Sequence, residues 1–278
     1  EAKHLQRKTM GQGDSKHSEK DEIELEDADT EEGLTKLLRV HLSRLIVYAE
    51  SADCHLQRQV AEKLANEAVK PERQVQIVEL GGLKLLLPLT QSTDTDVQRL
   101  AAHALANLSV NSDNQMMMAE EGGIEMLVAL LSSPNEHVQR QGSKALANLG
   151  VNVANKEKIA RAGGVAPLIE LAGSAAAAGV RVEAVAALAN LAVNDSNEVE
   201  IARKGGLAPI LDGAASANVD LQSQCARALR NLSVNPDNKA KIRELDGINI
   251  LQALSESPND RIRQQAGRAL ANLTTNGK

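Results

Sequence analysis

Six asparagines recur at near-constant spacing in this sequence: Asn66, Asn107, Asn148, Asn190, Asn231 and Asn272, about 41 residues apart. A side-chain amide carries both donors and an acceptor. On parallel helices packed ~10 Å apart, such a column makes a ladder, and an extended chain offers backbone N–H and C=O groups at a comparable rhythm. Each rung can clasp a peptide unit without reading its side chain. The same amides can equally hydrogen-bond the ends of neighbouring helices and fix the repeat geometry, because an unpaired buried amide is costly.

One helical turn earlier, on the same face, the column reads Glu62, His103, Lys144, Ala186, Arg227 and Arg268. A further step back stand Arg58, Arg99 and Arg140, alternating with Gln59, Leu100 and Gln141. Residues Arg99, Arg140, His103, Lys144, Arg227 and Arg268 therefore form a locally basic face on a chain of net charge −6. They predict an extended acidic, or mixed acidic and apolar, ligand segment. The plainer alternative is a solvated helix face.

Nothing in the sequence assembles a catalytic centre. There is no phosphate loop, no His-Glu-x-x-His, no nucleophile elbow and no Cys-x-x-Cys. The histidines His4, His17, His41, His55, His103 and His137 are scattered, and only His103 shares the asparagine face. Cys54 and Cys225 lack metal-ligand spacing and fit a reducing compartment, with one disulfide between them left open. We expect no enzyme, no cofactor and no metal. The acidic balance and the absence of Trp and Phe argue against nucleic acid as a partner.

The elements that position these columns follow from the repeat. Gly81-Gly82, Gly122-Gly123, Gly163-Gly164 and Gly205-Gly206, with Asp246-Gly247 as a degenerate copy, each precede a short apolar stretch that reads as a buried helix: Leu83–Leu89, Ile124–Leu131, Val165–Leu171, Leu207–Leu211 and Ile248–Leu254. A polar turn leads to a longer helix ending near each asparagine. A further short helix, such as Asn114–Glu121, Asn155–Ala162 or Asn238–Leu245, leads to the next glycine pair. Each repeat is thus three helices, and glycine permits the sharp backbone turn between two of them. Ala101, Ala184 and Ala266 let successive long helices approach closely, and Cys225 falls in the same register as a small buried residue. Of Met116, Met117 and Met118, at least one belongs in the core and another outside it.

The Gly-Gly pairs, the Ala-Leu-Ala-Asn-Leu endings and the three-helix period resemble the armadillo family over about Leu34 to Asn276. That resemblance implies an all-α fold: an armadillo-type right-handed α-solenoid of about six three-helix repeats, with a concave groove lined by the third helices. The capping helix and first repeat would occupy about 31–70, followed by repeats at about 72–111, 113–152, 155–194, 197–235 and 238–276. In the family the matching asparagine binds ligand backbone. Importin-type members carry Trp one turn earlier, and this chain has none, which argues against a nuclear-localisation-signal receptor.

The short solenoid is similar to armadillo-only adaptors, including the yeast vacuolar and the apicomplexan groups, the second nearer in size. That likeness implies an acylated adaptor on the cytosolic face of an organelle, the rhoptry, that recruits a myosin and a dedicated interacting protein. The alternative is a regulatory or cargo-binding domain of a larger protein, such as an armadillo kinesin or a catenin-like scaffold.

At the N-terminus, residues 1–30 hold little apolar surface and are expected to be a disordered acidic and polar leader. Its stretch Asp21–Glu32 could compete for the groove. Thr30 can cap a helix that closes the open end of the solenoid, with Glu31 and Glu32 near its positive end. No apolar run approaches a membrane span, so membrane contact would need an N-terminal lipid anchor absent from this sequence, and a cytoplasmic location is expected.

Overall fold

The computed structural model describes residues 33–173 and 177–275, with side chains from Leu38 onward. The leader, its acidic stretch and the Thr30 cap lie outside the described residues. Within them, α1 (Gly33–Glu50) precedes five triplets of one long and two short helices. These are α2 (Cys54–Ala68), α3 (Pro71–Glu79) and α4 (Gly82–Thr90); α5 (Thr95–Leu108), α6 (Ser112–Glu120) and α7 (Gly123–Leu130); α8 (Glu136–Leu149), α9 (Val153–Arg161) and α10 (Val165–Gly173); α11 (Ala178–Leu191), α12 (Asp195–Arg203) and α13 (Leu207–Ala215); and α14 (Val219–Leu232), α15 (Pro236–Glu244) and α16 (Gly247–Ser255). A last long helix, α17 (Asp260–Thr274), ends the array. The long helices α2, α5, α8, α11, α14 and α17 pack each on the next, so the chain is an all-helical solenoid with one continuous long-helix layer. Helix α1 is kinked at His41 and closes one end against α2 and α4.

Most helix starts are set by short polar side chains. Asp53, Asp94, Asn135, Asn218 and Asn259 cap five of the long helices, each accepting from a backbone N–H of the first turn. Asn111, Asn152, Asn194 and Asn235 do the same for α6, α9, α12 and α15. These caps move the starts of α6, α9 and α15 two residues ahead of those read from the sequence, which placed Asn114, Asn155 and Asn238 at the boundary.

Those three asparagines, with Asn197, have a different task. They are almost fully buried, and each amide Nδ2 donates to a backbone carbonyl of the preceding repeat: Asn114 to Gln74 (2.9 Å), Asn155 to Gln115 (2.9 Å), Asn197 to Lys156 (3.0 Å) and Asn238 to Glu198 (3.2 Å). A ladder of inter-repeat bonds thus runs through the short helices.

The two glycines of each pair differ in kind. Gly122 has φ +81°, the left-handed turn between α6 and α7. Gly123 has ordinary φ but no room: a Cβ there would lie 2.6 Å from the Met118 carbonyl oxygen. At Gly247 the corresponding distance to the Ile242 carbonyl oxygen is 2.7 Å, while Asp246 takes the left-handed place with φ 61°.

The core is mostly aliphatic, with Met118, Met126 and Cys225 among its buried members and Tyr48 packed against it. Met118 is buried, whereas Met116 and Met117 are half-exposed. Both cysteines are free, so no disulfide joins them. Cys225 is buried, and burial pushes its thiol up to about 12, which makes it a packing residue. On α17, Arg261, Arg263, Gln264 and Arg268 are exposed as expected of a terminal helix, but Gln265 is buried.

At equivalent positions in three successive repeats, a buried side chain donates to the backbone carbonyl six residues earlier, at the end of the preceding long helix. Gln74 reaches Ala68 (3.0 Å), Gln115 reaches Ser109 (3.2 Å) and Lys156 reaches Gly150. In the next repeat that position is Glu198, buried and unable to donate when ionised. Burial first, then Asp195, raise its carboxyl above the usual range, with a hydrogen bond from Asn235 opposing. A raised carboxyl favours the fold at low pH and loses that contribution as pH rises through its folded value. Glu198→Gln restores a neutral donor and is expected to add about 1 kcal/mol at pH 7.5, or ~2–4 °C in melting temperature, with a smaller gain at pH 5. Thermal melts followed by circular dichroism check this, and a variant that melts lower at pH 7.5 would refute it.

The period lengthens by one residue between Gly163 and Gly205. The extra residue falls between α10 and α11, and the N-cap of α11, Ala177, supplies no side-chain cap.

Candidate functional site: an amide and cation face on the long helices

Each long helix buries one face against its neighbours and turns the residues around its asparagine partly outward. The asparagines do not behave alike. Asn148 Nδ2 donates to Ser109 Oγ (3.0 Å), Asn190 to the Ala147 carbonyl (2.7 Å), Asn231 to the Ala189 carbonyl (2.8 Å) and Asn272 to the Arg230 carbonyl (3.1 Å). Four rungs therefore tie each repeat to the one before. Asn107 Nδ2 sits 3.2 Å from His103 Nε2 on its own helix, and Asn66 is exposed.

The oxygen ends divide the face in two. Asn190 Oδ1 accepts from Arg227 Nη1 (2.9 Å), and Asn231 Oδ1 accepts from Arg230 Nε (3.1 Å) and Nη2 (2.8 Å). At Asn148 and Asn272 no side chain among the described residues donates to Oδ1. The amide column is thus largely occupied by its own protein on α11 and α14, and more open on α5 and α8.

The cations divide along the same line. Arg227 also donates from Nη2 to the Ala186 carbonyl (3.1 Å), so it fastens α14 to α11 instead of standing ready for a ligand. Its charge is disfavoured by burial and by Arg261 and Arg230. By contrast, no carboxylate lies within ion-pair distance of Arg140 or Lys144 among the described residues. Arg140 is exposed and lies over α11, its Nε 3.2 Å from where a Cβ on Gly179 would be. Arg99 makes only an exposed contact to Asp96 (3.5 Å) along its own helix, worth little in water. Arg268 is exposed on the last helix, whereas Arg58 is paired with Asp94 (2.8 Å).

His103 lies among these groups. Burial, then Lys144 and Arg99, lower its pKa, which keeps the ring neutral at pH 7.

Two functional candidates escape the reading of single columns. Glu183 occupies on α11 the place that Gln141 holds on α8. Burial raises its carboxyl, and Lys144 and Arg140 pull it back, so it lies within their field. Gln141, Gln224 and Gln265 form a second amide column whose oxygens are buried without hydrogen-bond partners. Aligning the repeats by their glycine pairs, including the one-residue slip, brings out both.

No group of three His, Cys, Asp or Glu side chains among the described residues could hold a metal ion. No described helix is long and apolar enough to cross a membrane.

The profile of the armadillo-like family matches residues 79–238, more than half of the chain. This chain belongs to the armadillo-like family. A search of curated proteins finds no match. Among solved structures, an engineered protein from the Northeast Structural Genomics Consortium is 33% identical, with 84% of this chain and 96% of that one covered and a TM-score of 0.77. A designed armadillo repeat protein is 28% identical, over 84% of this chain and all of that one, with a TM-score of 0.76. Another, solved in complex with peptide (KR)4, is 27% identical over the same shares, with a TM-score of 0.75.

Proposed function

We propose that this armadillo-like chain is a non-enzymatic adaptor that binds extended segments of partner proteins along the asparagine face of its long helices. The segments are acidic, or mixed acidic and apolar. The observation that carries this reading is the pair Arg140 and Lys144, which have no ion-pair partner among the described residues and only half-buried Glu183 in their field, beside Asn148 on an acidic chain. Cations without an ion-pair partner next to an open amide repel one another, and an acidic ligand relieves that repulsion. The designed relative complexed with (KR)4 supports peptide binding as a use of this fold, with a ligand of opposite charge.

Arg140→Glu with Lys144→Glu is expected to weaken capture of the native partner about tenfold or more, ~1.4 kcal/mol, without lowering the melting temperature. Affinity capture with the intact protein, quantified against the double variant, is the test. Unchanged capture places binding elsewhere and removes this reading. Arg227→Glu is a poor substitute, because it breaks the bonds to Asn190 and Ala186 and perturbs the fold.

Acidic-ligand affinity should also rise as pH falls from 7.5 to 5.5. A bound carboxylate favours the charged form of His103, whose pKa is lowered, and protonation of Glu183, whose pKa is raised, removes a repelling charge. Both act in the same direction. Titrations at the two pH values with the native protein and His103→Gln check this, the variant keeping only the part due to Glu183.

We extend the proposal to a cytoplasmic setting, with tethering of a secretory organelle such as the rhoptry to a myosin as the finer reading. Its support is the likeness to small acylated adaptors. Myosin heavy chain absent from the captured proteins would remove it.

A further inference from the structure

The cations and the carboxylate of this face stem from different helices, although the Arg140 side chain reaches over the start of α11. Arg99 and His103 lie on α5, Arg140 and Lys144 on α8, and Glu183 stands on α11, one repeat further along. There the surroundings change: Val182 is half-buried, and Ala186 replaces the cation of the preceding column. Further on, the positive groups of α14 are bound to Asn190 and Asn231. The face therefore passes from a cation-rich stretch, where Arg99 meets Asp96 and Arg140 and Lys144 act on Glu183 from α8, to a carboxylate beside small apolar side chains within a single repeat.

Resting on the groove reading above, we infer that this charge step fixes the register of the ligand: its acidic side chains lie over α5 and α8, and uncharged, small apolar ones follow over α11. A carboxylate carried past α8 would meet Glu183 instead of a cation. Like charges placed together oppose binding, and such repulsive elements set specificity as much as attractive ones do. Alternate residues of an extended segment face the same side, so the acidic positions of the ligand are spaced by one residue and then stop. Ala186 is buried and adds no cation to this column, and half-buried Val182 offers an apolar contact at the place that Arg140 holds on α8.

Three fluorescein-labelled peptides of about 12 residues, roughly 40 Å when extended, test this with the full chain. The first has an Asp-Ser half and a Val-Ser half, the second is Asp-Ser throughout, and the third Val-Ser throughout. Fluorescence anisotropy should show the mixed peptide binding about fivefold tighter than the all-acidic one. Glu183→Gln, which places on α11 the residue type found at Gln141 and Gln224, should raise the all-acidic peptide to the level of the mixed one. Arg140→Glu with Lys144→Glu should drop the mixed peptide to the level of the Val-Ser control.

If the all-acidic peptide binds the native chain as tightly as the mixed one and Glu183→Gln changes neither, the charge step is overturned. A loss on charge reversal would still uphold the groove. If the mixed peptide binds no tighter than the Val-Ser control, both readings fall. Circular dichroism of each variant confirms that the fold is retained.

Discussion

Gly123→Ala is expected to cost about 3 kcal/mol of stability, against about 1 kcal/mol for Gly122→Ala one residue earlier. The order is the reverse of what backbone angles alone suggest. Gly122 has φ +81°, which penalises any L side chain, but nothing lies within 4 Å of the Cβ it would gain. Asp246, at the equivalent place with φ 61°, shows that a side chain can be carried there. Gly123 needs its missing Cβ for another reason, since the methyl group would press on the Met118 carbonyl at 2.6 Å and on Met118 Cβ at 3.3 Å. Relief requires α7 to move away from α6, and both helices are packed into the core. Urea denaturation of the two variants, followed by circular dichroism, measures the difference; a Gly123→Ala chain as stable as Gly122→Ala would show that the junction yields.

Asn155→Asp is expected to cost about 3 kcal/mol at pH 7.5, in the range for a buried polar group that loses its partner and gains charge. The substitution keeps the shape and removes only the donor. A carboxylate would then face the Gln115 carbonyl that Asn155 Nδ2 now reaches at 2.9 Å, and Asn155 Oδ1 already lacks a hydrogen-bond partner. The carboxyl would be raised by burial and by the missing donor. Its stabilising neutral form is fully present at low pH and lost as pH rises through the raised value, so stability should return towards pH 5 as the protonated oxygen donates to Gln115. Because the lost bond joins two repeats, the transition should also broaden at pH 7.5, as neighbouring repeats uncouple. Melts at pH 5 and 7.5 test both points. A loss independent of pH would assign the effect to packing.

These two residues show what the sequence could and could not disclose. The glycine pairs and the repeated endings are local signals at a fixed interval, so they convey the three-helix repeat without tertiary information. The division of labour inside each pair is invisible in one dimension, because Gly123 is constrained by a carbonyl five residues back. The same applies to the asparagines. Asn148 and Asn155 are the same residue type in the same repeat, but one lies half-buried on the long-helix face and the other inside the solenoid. Helix phase alone placed Asn155 at a helix start, a role that Asn152 fills.

The basic column was legible as a column, yet its chemistry depends on partners that come from adjacent repeats. Arg227 and Lys144 are interchangeable in the sequence pattern and differ in space. The arginine is long enough to reach Asn190 and the Ala186 carbonyl, while the lysine keeps its charge unpaired. The column of Gln59, Leu100 and Gln141, followed only through the first three long helices, stops one helix short of Glu183.

That extra residue has a consequence for how such an array can change length. Across the junction between α10 and α11 the rungs remain in place: Asn190 still reaches Ala147 and Asn197 still reaches Lys156. The phase of the repeat is thus kept by the helices and is insensitive to the chain that joins them. Such junctions are natural seams, where a duplicated or grafted module could enter without disturbing the neighbours already built, and where evolution could vary the number of ligand positions while leaving each one intact.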